Sequence, residues 1–170
     1  MKTTASLNDL KVELSSVPEL ELFESSNELK RFSKDAYEFS PVLFKQLDGC
    51  IADLVVRPHS IEAVESVASL CLTYGIPLTL RGSGTGNYGQ CVPLKGGVVM
   101  LMSRLRKIRN LDSETGVVTV ETGCLLRDLD AYLISRGRQL RLSPSTWRNA
   151  SVGGFVAGGS GGIGSVRWGF

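Results

Sequence analysis

The chain has 170 residues, 42% of them hydrophobic and 21% charged. That is enough for one packed domain or part of a larger one, and it excludes wholesale disorder. The net charge is +2, Lys and Arg form no long stripe, and aromatic residues do not interleave with them, so a nucleic-acid partner is not expected.

The N-terminal segment, residues 1–16, has no apolar core, so no secretory leader is expected. The longest apolar stretch, residues 96–102, falls far short of the roughly 20 residues a membrane span needs. A cytoplasmic location and no membrane span are the resulting expectations. Cys50, Cys71, Cys91 and Cys124 show no CxxC spacing, and His59 is the single histidine. No metal site is expected, and the cysteines read as reduced residues that pack like small hydrophobes.

Residues 1–48 read as a helical lead-in. Leu7, Leu10 and Leu14 recur at helical spacing, residues 20–32 are charged with scattered apolar positions, and Ser40-Pro41 breaks the pattern. Residues 53–57 read as a strand ending at Pro58. Ser60 suits the N-cap of the next helix, with Glu62 and Glu65 in its first turns. Ile61, Val64, Val67, Ala68, Cys71 and Leu72 form its predicted apolar stripe, and Gly75 closes it. Residues 77–81 are a second strand, and this strand–helix–strand spacing implies a parallel pair with a right-handed crossover.

A further strand is predicted at 98–102, and 108–111 and 117–121 read as a hairpin around the turn 112–116. Residues 125–136 read as an amphipathic helix faced by Leu126, Leu129 and Leu133, with Ile134 beside them. Gly137 ends it, and residues 140–142 return as a short strand. There is no internal repeat.

Glycine occurs 19 times, against roughly 12 at an average usage of about 7%. The excess gathers in two places. The first, Arg81-Gly82-Ser83-Gly84-Thr85-Gly86-Asn87-Tyr88-Gly89-Gln90, directly follows a strand. Glycines alternating with small hydroxyl residues let several backbone N–H groups point one way, a nest that binds phosphate without a side-chain charge. Ser83 and Thr85 add hydroxyl donors and Arg81 a charge. Gly84, Gly86 and Gly89 also match GxGxxG, the Rossmann fingerprint for NAD. That motif requires a helix immediately after it, and Pro93, Gly96 and Gly97 oppose one. No Gly-Lys-Ser/Thr is present, so a Walker A loop is excluded. Taken alone, this segment is also compatible with a flexible loop that binds nothing.

The second cluster runs from Pro144-Ser145-Thr146 through Ala150-Ser151-Val152-Gly153-Gly154 to Gly158-Gly159-Ser160-Gly161. A low-complexity linker is the plain alternative. The regularly placed Val152, Phe155, Val156 and Ile163 argue against it. Two such clusters suggest two walls around one extended ligand.

In their order, Pro-Leu-Thr-Leu-Arg-Gly-Ser-Gly-Thr-Gly, Gly-Gly-Val-Val, Val-Glu-Thr-Gly, Pro-Ser-Thr and Val-Gly-Gly-Phe-Val-Ala-Gly-Gly-Ser-Gly-Gly resemble the FAD-binding module of the vanillyl-alcohol oxidase (PCMH-type) flavoproteins. The look is that of the glycolate oxidase flavin-subunit and D-lactate dehydrogenase branch. The resemblance covers residues 53–170, and Phe32-Ser-Lys-Asp35 is similar to the lead-in that precedes the module.

The resemblance implies an α+β fold of two subdomains, a small parallel βαβ unit and a mostly antiparallel sheet with helices, with FAD between them. Residues 1–48 would be the lead-in and 49–170 the FAD-binding domain. Gly82, Ser83, Gly84, Thr85, Gly86 and Asn87, with Arg81 beside them, would hold the pyrophosphate. Pro144, Ser145 and Thr146 would lie along the flavin and ribityl side. Ala150, Gly153, Gly154, Gly158, Gly159, Ser160 and Gly161 would form the second wall. Some relatives attach FAD covalently to a histidine of the first loop. That loop has none here, so non-covalent FAD is implied, and His59 reads as structural.

Relatives continue past this point into strands that close the second subdomain and into a cap with substrate contacts. The expectation is that the module is unfinished at Phe170, inside a motif, and that the chain alone is inactive. No catalytic residue is assigned. Substrate would meet a C-terminal region beyond these residues, and a redox partner protein is a further expectation. The implied whole is an FAD-dependent oxidoreductase acting on a small 2-hydroxy acid or similar alcohol. The alternatives are a non-catalytic flavin-binding remnant or regulatory module, and an NAD-binding Rossmann protein marked by a helix starting near Gly86.

Overall fold

The computed structural model describes residues 4–169. Helix α1 (Thr4–Ser15) carries the first predicted stripe: Leu10 and Leu14 are fully buried and Leu7 is half-buried. The lead-in that follows is not all helical. Leu20–Phe23 forms strand β1, pairing antiparallel with strand β2 (Leu54–Pro58) in the register Leu20↔Pro58 to Phe23↔Val55. The reason is a period of two. Leu20 and Leu22 pack on one side of the sheet and Phe23 on the other, which only an extended segment allows. Helices α2 (Ser26–Phe32) and α3 (Pro41–Leu47) complete the lead-in. The Ser40-Pro41 break is the start of α3: Ser40 Oγ accepts from the Leu43 amide and Pro41 opens the first turn.

After β2 come α4 (Ile61–Thr73), β3 (Leu78–Arg81), β4 (Val98–Leu101), β5 (Ile108–Leu111), β6 (Val118–Val120), α5 (Leu126–Ile134), α6 (Val152–Ala157) and α7 (Ser165–Trp168). The main sheet has the order β1-β2-β4-β3, and β2 and β3 are each parallel to β4. The two strands flanking α4 are therefore parallel but not neighbours, a correction to the expected pair. All four residues of β4 are buried, and a strand apolar on both faces belongs at the centre of a sheet.

One sheet face, Leu54, Val56, Val98 and Met100, packs against Leu10, Leu14, Val67 and Cys71 of α1 and α4. The other, Val55, Val99 and Leu101, meets Leu29 and Phe32 of α2. Each fully buried Leu or Val contributes roughly 1.5–3 kcal/mol. The face of α4 is turned from the predicted one: Ala63, Val67 and Cys71 are buried, while Ile61 and Leu72 are 47% and 84% exposed. Ser60 caps this helix as expected, accepting from the Ala63 amide.

β5 and β6 form the predicted antiparallel hairpin. Leu129 and Leu133 of α5, with Cys124, pack onto it; Ile134 is 61% exposed and lies off that face. Residues 140–142 form no strand. The Leu140 amide is taken by Asp130 Oδ1 at 3.3 Å, and only Ser143 bridges, to Ile163. The segment after Ala150 holds a helix, α6, despite its two glycines. Ser151 caps it, its hydroxyl accepting from the Gly154 amide at 3.3 Å. No described helix is long and apolar enough to cross a membrane.

Candidate functional site

β3 runs into a loop, residues 82–97, that leads directly to β4 without a helix. This is the strand–loop–strand arrangement that removes the NAD-binding Rossmann reading, because no helix N-terminus stands behind the glycines. The loop turns through Gly84 (φ +67°) and Gly89 (φ +78°), the left-handed region where glycine is unstrained.

The lead-in holds this loop from behind. The Ala36 amide donates to the Gly86 carbonyl at 2.8 Å. The Arg81 guanidinium donates to the Lys34 carbonyl and to Cys91 Sγ. Ser33, 1% exposed, accepts from the Ala52 amide at 2.8 Å and donates to the Leu29 carbonyl. Asp35 Oδ1 accepts from the Tyr37 amide at 2.9 Å.

The two glycine clusters face each other across one open cleft of about 1040 Å³. Gly82, Ser83, Gly84, Thr85, Gly86 and Asn87 line one side. Pro144, Ser145, Thr146, Ala150, Gly154, Gly158, Gly159, Ser160 and Gly161 line the other. At the base the walls nearly touch: a Cβ on Gly82 would stand 2.4 Å from Ser151 Oγ and 3.4 Å from Gly154 Cα. That approach depends on Gly82 lacking a side chain, because a Cβ there would run into Ser151 Oγ.

Two of the predicted binding residues lie outside the lining. Arg81 is turned behind the loop, its guanidinium filling the place a Cβ on Gly84 would take. It stiffens the nest rather than facing the cleft. Gly153 faces the end of β6: its amide donates to the Thr122 carbonyl at 2.8 Å, and a Cβ there would meet Thr122 Cβ at 2.6 Å. The structure adds Asp35, Leu80, Tyr88, Trp147, Ser151 and Phe155 to the lining. Trp147 and Phe155 carried a signal, as large aromatics inside a Gly/Ser-rich stretch. Asp35 belonged to a recognised lead-in, yet nothing in its spacing gave it a place in the cleft.

The charged groups near the cleft are few. Beyond residue 130 the chain has five arginines and no Lys, Asp or Glu, but none of these arginines lines the cleft, whose one carboxylate is Asp35. Burial pushes the Cys91 thiol up, and the nearby Arg81 charge only partly opposes this. Burial takes Cys71 to about 11. Both thiols are neutral at pH 7 and are poor nucleophiles. Among the described residues no cluster of three or more His, Cys, Asp or Glu could hold a metal. His59 is remote in role: its ring meets Glu21, which also pairs with Arg57 and, at 3.7 Å, with Arg104.

A glycine-rich loop, a second wall of glycines and small hydroxyls line one cleft, a lining that lets a bulky ligand approach the backbone closely. Known proteins agree. The chain is 28% identical over 69% of its length to glycolate oxidase subunit GlcD of Bacillus subtilis, covering 25% of that protein. It is 34% identical over 69% of its length to a probable mitochondrial D-lactate dehydrogenase of Danio rerio, covering 23%. The chain thus spans about a quarter of these relatives. In solved structures it superposes on alkyldihydroxyacetonephosphate synthase with a TM-score of 0.79 at 22% identity, covering 99% of this chain and 34% of that one. On p-cresol methylhydroxylase the TM-score is 0.71 at 18% identity, covering 91% and 30%. The α+β fold is therefore of the PCMH type. Residues 52–170 match the family described as FAD binding domain, and the chain belongs to that family of FAD-linked oxidoreductases.

Proposed function

We propose that this chain holds FAD non-covalently in the cleft between the two glycine walls, as the cofactor-binding part of an enzyme that oxidises a small 2-hydroxy acid. The observation that carries the reading is the convergence of both glycine clusters, distant in sequence, on one cleft. The amides of residues 82–87 would bind the pyrophosphate. Gly154, Gly158 and Gly161 would admit the cofactor's bulk along the second wall, and Pro144, Ser145 and Thr146 would border its flavin and ribityl side. Ser83, Thr85, Ser145 and Thr146 supply hydroxyl donors in addition to the amides. Bound there, the flavin would supply the hydride acceptor. The substrate class is supported by the glycolate oxidase and D-lactate dehydrogenase relatives. The absence of a histidine in residues 81–91 supports the non-covalent mode.

The test is a titration of the purified chain with FAD, read by quenching of flavin fluorescence and by the flavin absorption retained after gel filtration. Saturable one-to-one binding, released by acid or denaturant, is expected. Protein that takes up no FAD would refute the reading, and flavin that survives denaturation would refute the non-covalent mode.

A further inference from the structure

Asp35 lies outside the matched family region, yet it lines the cleft beside the nest. Its Oδ1 is occupied by the Tyr37 amide at 2.9 Å. Its Oδ2 is enclosed and, among the described residues, has no hydrogen-bond partner. A buried carboxylate oxygen without a donor is costly and calls for one. In the loop, a Cβ on Gly86 would stand 3.5 Å from Asp35 Oδ2 and 2.4 Å from Gln90 Oε1. Gln90 is exposed and accepts a bond of 3.2 Å from the Tyr88 amide. Its amide oxygen and Asp35 Oδ2 both lie beside Gly86.

We propose that Asp35 is a ligand-selecting residue whose Oδ2 accepts a hydrogen bond from a sugar-type hydroxyl of the bound dinucleotide. This rests on the nest binding the pyrophosphate. A carboxylate repels phosphate, so the group it meets in a dinucleotide is a donor. The donors flanking a pyrophosphate are the hydroxyls of the ribose and of the ribityl chain. Carboxylates serve dinucleotide riboses in this way elsewhere.

Asp35→Asn separates this role from a structural one. Its Oδ1 still accepts from Tyr37, while an NH₂ donor replaces Oδ2. The measurements are the dissociation constant for FAD and the inhibition constants of ADP and inorganic pyrophosphate against FAD, in the wild-type chain and D35N, with thermal melts as a folding control. FAD binding weakened about tenfold, with pyrophosphate unchanged or tighter, is the expected result. ADP weakened alongside FAD places the contact at the adenosine ribose; ADP unchanged places it at the ribityl chain. FAD unchanged in D35N, or FAD and pyrophosphate weakened equally, overturns the inference and leaves the proposed function standing. A wild-type chain that binds no FAD overturns both.

Discussion

The amide of Ala36 donates to the carbonyl of Gly86 at 2.8 Å, so the lead-in is bonded to the middle of the glycine loop proposed to hold the pyrophosphate. Arg81 adds a second tie from the loop to the Lys34 carbonyl. The loop is therefore tied to a distant part of the chain at two points, and its order should depend on the lead-in being docked.

Arg81→Ala should show this as a loss of stability rather than of a phosphate contact. The substitution leaves the Lys34 carbonyl without its charged donor and empties the space beside Gly84. The cost should be about 2 kcal/mol, or roughly 4–8 °C in the melting temperature without ligand. A melt unchanged by R81A, with FAD binding abolished, would place the guanidinium on the cofactor instead.

The closed base of the cleft predicts a second effect. Gly82→Ala puts a methyl 2.4 Å from Ser151 Oγ and should wedge the walls apart, weakening FAD at least tenfold. Ser151→Ala removes the obstructing oxygen, so the G82A/S151A double variant should bind FAD better than G82A alone. S151A by itself loses the cap of α6, which costs about 1 kcal/mol. The measurement is a double-mutant cycle on FAD affinity. Additive effects of the two substitutions would mean the walls do not meet there.

The two walls were legible because glycine is uncommon and its clustering has few physical causes. Their contact was not, since nothing local says that Gly82 faces Ser151. The strand order escaped for a similar reason. The neighbour of β2 is decided by how deeply Val98–Leu101 buries, and that segment follows β3 across a long loop. On α4 two overlapping stripes existed, and the one with small Ala63 won because it packs toward the sheet. β1 is four residues long within charged sequence, too short to show its alternation. Arg81 looked like a phosphate ligand by its place in the motif, but its direction is set by the Lys34 carbonyl, contributed from 47 residues earlier.

Glu21 joins β1 to β2 through Arg57 and His59, and these neighbours give a pH signature. The hydrogen bond from Arg57 holds the Glu21 carboxyl below its ordinary value of 4.5, with His59 adding to the effect. A carboxylate depressed in the folded state stabilises above its unfolded value and loses that contribution as pH falls through the folded one. The wild-type chain should therefore lose stability more steeply than Glu21→Gln below about pH 4.5. Glu21 is about one-third exposed, so solvent and salt screen it and the difference should be small. Urea midpoints measured from pH 3 to 7 check this, and parallel curves for the two proteins would remove Glu21 as the linkage site.

Gly153 and Gly159 separate two uses of glycine in the second wall. Gly159 has φ +57° and open space where a Cβ would go. Its change to Ala should cost only the left-handed strain, about 1–2 kcal/mol. Gly153 has no such φ, but a Cβ there would lie 2.6 Å from Thr122 Cβ and 2.9 Å from the Thr122 carbonyl oxygen. Backbone cannot yield as a flexible side chain can, so Gly153→Ala must lift α6 off the end of β6. That breaks the Gly153 amide bond to Thr122 and disturbs the Val152 contact with the Leu129 and Leu133 cluster. The expected cost is larger than at Gly159, about 3 kcal/mol from overpacking and the lost bond together. Because α6 carries Gly154, FAD affinity should fall with stability in G153A, while G159A should lose stability with a much smaller change in affinity. Equal melting temperatures for the two variants would show that α6 does not rest on Thr122.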